Sequence, residues 1–394
     1  MTSTTETAVA PNLRADIQGL RGLAILLVIL LHAGVTLFQG GYVGVEVFFV
    51  ISGFVVTGSL MRKPRGQLLK NLRNFYVKRI LRLLPSSTAV IIVTMIAAFF
   101  LLGKAFNADL IEDAKWAAIF GTNFHLIDTG ANYFIAGLDK SLLTHYWYLA
   151  IEQQFYLIYP LIIFLIVRLV PEALKAKVVA VLLALIVLAS GWFSVYLTQA
   201  DSVSAYYSPF TRAWEIALGG LVALIPLSWA KRSAILNSVV SLAALLALLA
   251  SSMILGSQNS YPGFLAWWPS LCAAALIWAN SNTTKISATG LLAFRPMKYL
   301  GDISYSLYLW HFIWLVLPGQ MVNPPTAPWF VLVQLAGAFG CAAISHHFIE
   351  DPIRKSKTLN KDALAALLFL LICLALIWDT TLWVENLWLV ASGS

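Results

Sequence analysis

The sequence predicts an all-α fold, a polytopic transmembrane helical bundle of about eleven spans, and three observations carry that prediction. The chain is 60% hydrophobic and 11% charged, with a mean hydropathy of +0.80. A soluble domain averages roughly a quarter charged residues, so a soluble surface could not cover this core. Apolar stretches of about twenty residues, the length that crosses a bilayer as a helix, recur between turn residues and charges. Lysines and arginines gather in every second connection, as the positive-inside bias requires.

The spans fall near 17–38, 42–60, 80–103, 145–168, 178–198, 211–229, 234–255, 263–280, 299–317, 328–349 and 362–379. Residues 1–13 are polar and expected to be disordered on the cytoplasmic side, with one transmembrane domain following over 14–380. The first apolar stretch is too long for a signal-peptide h-region of about 7–15 residues, so it reads as a retained span. After span two come Arg62, Lys63, Arg65, Lys70, Arg73, Lys78 and Arg79 with no acid, which marks that connection as cytoplasmic. Alternate connections agree, through Lys175 and Lys177, Lys231 and Arg232, and Arg354 and Lys355. The connection 104–144 carries Asp109, Glu112, Asp113, Asp128 and Asp139 and reads as outside, with a short helix near Ile111–Phe120. Its end, ANYFIAGL, is expected on the outer surface or folded back into the bundle. Eleven spans from an inside N-terminus place the C-terminus and a tail at 381–394 outside. The net charge of +8 then belongs to the cytoplasmic face and to anionic lipid, with no nucleic-acid partner. Cys272, Cys341 and Cys373 lie in apolar runs without metal-like spacing, and no disulfide is expected.

Ionisable groups inside a bilayer are costly, and several on different helices mark a candidate site. Span one carries Arg21 and His32, eleven residues apart. That spacing puts them within about 20° of one face and about 16 Å apart along the axis. Arg14 shares the stripe if the helix starts early enough. A neutral imidazole at that depth can accept a proton. Span two brings Glu46 to a similar depth, where a carboxylate could orient His32. Span four brings His145, Trp147 and Glu152, span six Arg212 and Glu215 at i, i+3, and span nine His311. Taken singly, each is as well explained by helix packing; five helices converging at one depth favour a site. On the cytoplasmic side Arg79 and Arg82 share a helix face and can engage phosphates, with Arg73 close by. No Walker or Rossmann glycine pattern occurs, and no metal-binding spacing.

In order along the chain, the Arg21–His32 span, GYVGVEVFFVISGF, FYVKRILRLLP, HYWYLAIEQQFYLIYP, TRAWEIALGG, LGDISYSLYLWH and FIEDPIRK resemble the membrane acyltransferase-3 family, which includes O-antigen and peptidoglycan O-acetylases. The resemblance implies transfer of an acyl group, usually acetyl, from cytoplasmic acyl-coenzyme A to a hydroxyl of an extracytoplasmic glycan, glycolipid or other envelope acceptor. It implies that Arg21 and His32 are essential, and that Arg79 and Arg82 meet the coenzyme A phosphates. Three positions depart from the family pattern: Glu46 stands for the usual Asp, Gln153 for a second acid after Glu152, and Tyr148 for a frequent Ser. Two-domain relatives continue into a soluble esterase-like domain. This chain is expected either to act alone or to precede such a partner.

The expected site therefore has His32 as base, Glu46 or Glu152 as orienter and Arg21 along the donor's arm. Arg14, Arg73, Arg79 and Arg82 hold acyl-coenzyme A. His145, Trp147, Arg212, Glu215, His311 and Tyr133 face the acceptor. A covalent route through Tyr133 or Ser52 fits the sequence equally well. A secondary transporter would also place charges at the midplane, but would usually show related halves or interrupted helices, and no such symmetry is seen. The expected location is a bacterial cytoplasmic membrane.

Overall fold

The computed structural model describes residues 14–392 apart from 63–64, 104–105, 134–140, 227–232, 257–259, 281–283, 285–286, 324 and 326. The expectations for residues 1–13 and for most of ANYFIAGL lie outside the described residues.

All regular structure among the described residues is helical. The chain runs through α1 (Ala15–His32), α2 (Gly44–Met61), α3 (Leu68–Leu102), α4 (Asp109–Ala118), α5 (Thr122–Asp128) and α6 (Tyr146–Leu169). It continues through α7 (Glu172–Ala200), α8 (Ser202–Tyr207), α9 (Pro209–Leu224), α10 (Ala234–Ile254), α11 (Trp267–Ala279) and α12 (Ala288–Leu292). The last part comprises α13 (Arg295–Asp302), α14 (Ser304–Val316), α15 (Phe330–Ile344), α16 (Asp351–Lys355), α17 (Lys357–Lys361) and α18 (Ala363–Ser392). A π-helical turn, Ser345–Glu350, joins α15 to α16. The protein is an integral membrane protein with many apolar helices.

Each of the eleven expected spans has a helical counterpart, but length and composition support fewer crossings. Among the described residues eight helices are long and apolar enough to cross a membrane, or nine if one bent pair counts as a span. The bent pair is α13 with the helix beginning at Ser304, which turn by 75° about Ile303. The other two that fall short are α9, with 16 residues, and α11, with 13. Helix α9 packs against both α2 and α7, and its Arg212 and Glu215 are fully buried. Protein surrounds it where hydropathy alone suggests lipid.

Two helices outrun their hydropathy limits. Helix α3 has 35 residues, roughly 50 Å at 1.5 Å per residue, against about 30 Å of hydrocarbon. Its basic opening, with Arg73, Arg79 and Arg82, is therefore helix continuous with the apolar part. Helix α18 runs on to Ser392, so residues 381–392 are helical. The expected short outer helix is α4, which pairs with α5 through His125 Nε2 and Asp113 Oδ1 at 3.0 Å. Burial pushes the Asp113 carboxyl up from its ordinary range, against the opposing pull of Ser141 and His125.

Close backbone approach places the site helices. A Cβ on Gly53 of α2 would lie 1.8 Å from the Ile216 carbonyl oxygen of α9. One on Gly219 of α9 would lie 1.9 Å from that of Val50. This reciprocal small-residue contact lets α2 and α9 meet backbone to backbone.

Candidate active site

The charges and histidines expected inside the membrane form three groups: a cationic cavity, a histidine cluster and a buried ion triad. A cavity of about 490 Å³ is lined by Arg21, Arg79 and Arg82, with Arg354 and Lys355 at its exposed rim. That volume lies within the roughly 300–1,000 Å³ of small-molecule sites. Arg79 and Arg82 are one turn apart on α3. Arg354 and Lys355 are both steadied by Asp351. Arg21 reaches the cavity from α1. Its Nη1 donates to Gln18 Oε1 (3.1 Å) and its Nη2 to Ser304 Oγ (2.8 Å).

Glu152 sits in the cavity wall, and its Oε1 is an acceptor for three hydroxyls. Tyr156 donates at 2.7 Å, Tyr148 at 3.1 Å, and Ser52 donates as well. The guanidinium carbon of Arg79 lies 3.9 Å from the Tyr156 ring centroid, a cation–π contact. Glu152 is thus tied to the cationic side.

Three rings close the cavity at the end facing the histidines. Tyr148 and Tyr308 have centroids 5.3 Å apart, and Phe48 lies 5.9 Å from Tyr148 and 6.5 Å from Tyr308. Tyr308 OH donates to the His145 carbonyl oxygen at 2.8 Å. Beyond this layer lies the histidine cluster, where His32 is 5.1 Å from His311 and His145 is 5.9 Å from His311, ring to ring.

The hydrogen bonds of the cluster fix its proton positions. His311 Nδ1 lies 3.2 Å from the Leu307 carbonyl oxygen, which can only accept, so Nδ1 carries the hydrogen. In a neutral ring His311 Nε2 then accepts, from His32 Nδ1 at 3.2 Å. That leaves the lone pair of His32 on Nε2, facing Tyr133 OH at 3.0 Å. The lone pair of His32 Nε2 is directed at Tyr133, in the segment that follows α5.

The ion triad joins α2 and α9. Arg212 Nη1 donates to Glu46 Oε1 (3.0 Å) and to Glu215 Oε1 (2.9 Å), and Nε donates to the Tyr206 carbonyl (3.1 Å). All three charged side chains are at most 1% exposed. Trp147, Tyr206 and Tyr261 stand around the guanidinium at 5.5, 5.0 and 5.6 Å. Tyr133 stacks on Tyr206 at 4.8 Å and so links the triad to His32.

Several expected placements are corrected. Glu46 faces Arg212 where it was expected to orient His32. Glu152 lies across the ring layer from His32 and accepts from hydroxyls instead. Arg14 caps α1 with extended backbone, and its guanidinium turns back to Asp16 (2.6 Å) and the Ile277 carbonyl (2.9 Å). Arg73 is exposed and donates to Asn74 Oδ1 at 3.4 Å. Neither Arg14 nor Arg73 lines the cavity.

Residues 14–347 match the family model described as an acyltransferase domain. The chain belongs to the acyltransferase-3 family. A relative, the peptidoglycan O-acetyltransferase OatA of Listeria monocytogenes, is 29% identical over 88% of this chain and 56% of its own length. The O-acetyltransferase OatA of Staphylococcus aureus is 28% identical over 88% of this chain and 58% of its own. The chain spans about half the length of these curated relatives. No solved structure matches it.

Several residues of the cavity carry no site assignment from the sequence. Arg354 and Lys355 come from FIEDPIRK, whose order alone gave no role. His346 lines the cavity and its Nδ1 lies 3.1 Å from Glu350 Oε2, which also accepts from Ser306 at 3.0 Å. The π turn at Ser345–Glu350 brings this pair round, and such turns frequently occur at functional sites. The available signal was an acid and two histidines at the charged end of an apolar run.

Proposed function

We propose that the chain is a transmembrane O-acetyltransferase of a bacterial cytoplasmic membrane, carrying acetyl from cytoplasmic acyl-coenzyme A to a hydroxyl of a cell-envelope glycan. One observation carries the proposal: α1 joins a cationic cavity at Arg21 to a proton-accepting imidazole at His32. The guanidinium groups of Arg79, Arg82 and Arg354 suit the donor's phosphates, since guanidinium matches phosphate geometry. The thioester end points toward the ring layer, which has to part for the acetyl group to reach the His32 side. The alternation of basic connections supports eleven crossings and a cytoplasmic cavity mouth. The peptidoglycan O-acetyltransferases among the relatives support a glycan acceptor.

In the transfer, His32 Nε2 takes the proton of the acceptor hydroxyl as its oxygen attacks the thioester carbonyl carbon. The ester C–O bond forms and the C–S bond breaks. The thiolate leaves and regains the proton by way of His32. His311 holds His32 in the tautomer this needs. Arg21, about 16 Å from His32 along α1, lines the donor's arm.

Replacing Arg79 and Arg82 together by alanine tests the donor site. KM for acetyl-coenzyme A is expected to rise at least about 100-fold, from the loss of two charge-assisted hydrogen-bond donors of about 1.5–3 kcal/mol each. Unchanged affinity by equilibrium dialysis removes the phosphate assignment.

The 3.0 Å contact of Tyr133 OH with His32 Nε2 supports a second route, in which Tyr133 is the first acceptor. His32 then deprotonates Tyr133, the phenolate takes the acetyl group with expulsion of the thiolate, and a later hydroxyl takes it on. Acid-quenched protein digested and weighed by mass spectrometry is expected to carry an acetyl increment on Tyr133 on this route. An increment absent under rapid quench leaves direct transfer.

A further inference from the structure

Resting on the donor site proposed above, we infer that Phe48, Tyr148 and Tyr308 set the length of acyl chain the enzyme accepts, with Tyr148 as the principal determinant. The cavity changes character along its length. Arg354 and Lys355 are exposed at its rim, Arg21 and Glu152 line it deeper in, and the three rings line it where Tyr308 adjoins His145 and His311. An acyl group entering thioester-first from the cationic mouth meets ring faces and edges.

The layer is held in place from both sides. Tyr148 is 5% exposed, its ring lies 4.8 Å from Phe49, and its hydroxyl donates to Glu152 Oε1 at 3.1 Å. Tyr308 is 4% exposed and is anchored to the His145 carbonyl. Behind it His145 stacks on Phe312 with centroids 4.7 Å apart, and His311 is fully buried. A longer acyl chain could enter only by moving a hydrogen-bonded tyrosine into a filled cluster. Packed interiors resist added methylenes. A two-carbon group needs far less displacement than a four-carbon one, and one methylene in a closed apolar pocket is worth about 10–200-fold in selectivity.

Shortening a ring in this layer should open the end of the cavity. The test compares Tyr148→Ala, Phe48→Ala and Tyr148→Phe with the unaltered protein, using acetyl-, propionyl- and butyryl-coenzyme A. The readout is the kcat/KM ratio of butyryl to acetyl transfer. Tyr148→Ala and Phe48→Ala are expected to raise the ratio at least about 10-fold. Tyr148→Phe keeps the ring and loses the bond to Glu152, and its ratio is expected to stay within about twofold whatever happens to turnover. An alanine variant without turnover is judged by thermal protection: butyryl-coenzyme A must gain on acetyl-coenzyme A relative to the unaltered protein. Unchanged ratios or protection in both alanine variants overturn the inference. If the unaltered protein neither uses nor is protected by any of the three thioesters, the donor assignment fails instead.

Discussion

Replacing His32 by alanine is expected to lower acetyl transfer by at least about a thousandfold while leaving the protein folded. General-base catalysis contributes about 10²–10⁴-fold. His32 is placed at the last residue of α1, and its imidazole is partly exposed, so truncation leaves little void. The change removes the acceptor of the Tyr133 hydrogen bond and the partner of His311 together. Both proposed routes pass through Nε2, so both predict the loss. The check is label transfer from acetyl-coenzyme A in membranes, normalised to monodisperse protein in detergent. Transfer within threefold of the unaltered protein, at equal folding, would rule out His32 as the base.

The second large effect concerns folding. Arg212→Met is expected to abolish accumulation of folded protein, because it leaves Glu46 and Glu215 buried together without a cation. Breaking a buried pair costs about 3–5 kcal/mol, against a total stability of about 5–15 kcal/mol. Here one guanidinium serves two carboxylates. Adding Glu46→Gln and Glu215→Gln to Arg212→Met removes both stranded charges and is expected to restore a monodisperse peak on size exclusion in detergent. If Arg212→Met alone elutes and melts like the unaltered protein, the triad does not hold α2 against α9.

Much of this site is legible in the sequence, for a physical reason. Charge in an apolar helix must be repaid by function or pairing, and Arg21, His32, Glu152, Arg212 and His311 all stand out on that ground. What depth along a helix leaves undetermined is azimuth. Glu46 was placed beside His32 because α1 and α2 are antiparallel neighbours, yet around the axis of α2 it points toward α9. Arg14 falls on the Arg21 stripe only if it is helical. The helix starts at Ala15, and the extended backbone of Arg14 turns its side chain back on Asp16. The π turn before Asp351 breaks the 3.6-residue period, so periodicity gave no hint that His346 and Arg354 would reach the cavity of Arg82. Hydropathy likewise sees composition and not helix length, so it marks spans at α9 and α11, whose helices run only 16 and 13 residues.

On the proposed route acetyl enters at the cationic cavity and leaves past His32. It is tested most directly in membrane vesicles of both orientations given labelled acetyl-coenzyme A, which does not cross the bilayer unaided. Label is expected in envelope glycan only when the thioester meets the face bearing Arg79, Arg82, Arg354 and Lys355, and none in either orientation with His32→Ala. Incorporation from the opposite face alone, or undiminished incorporation by His32→Ala, would contradict it.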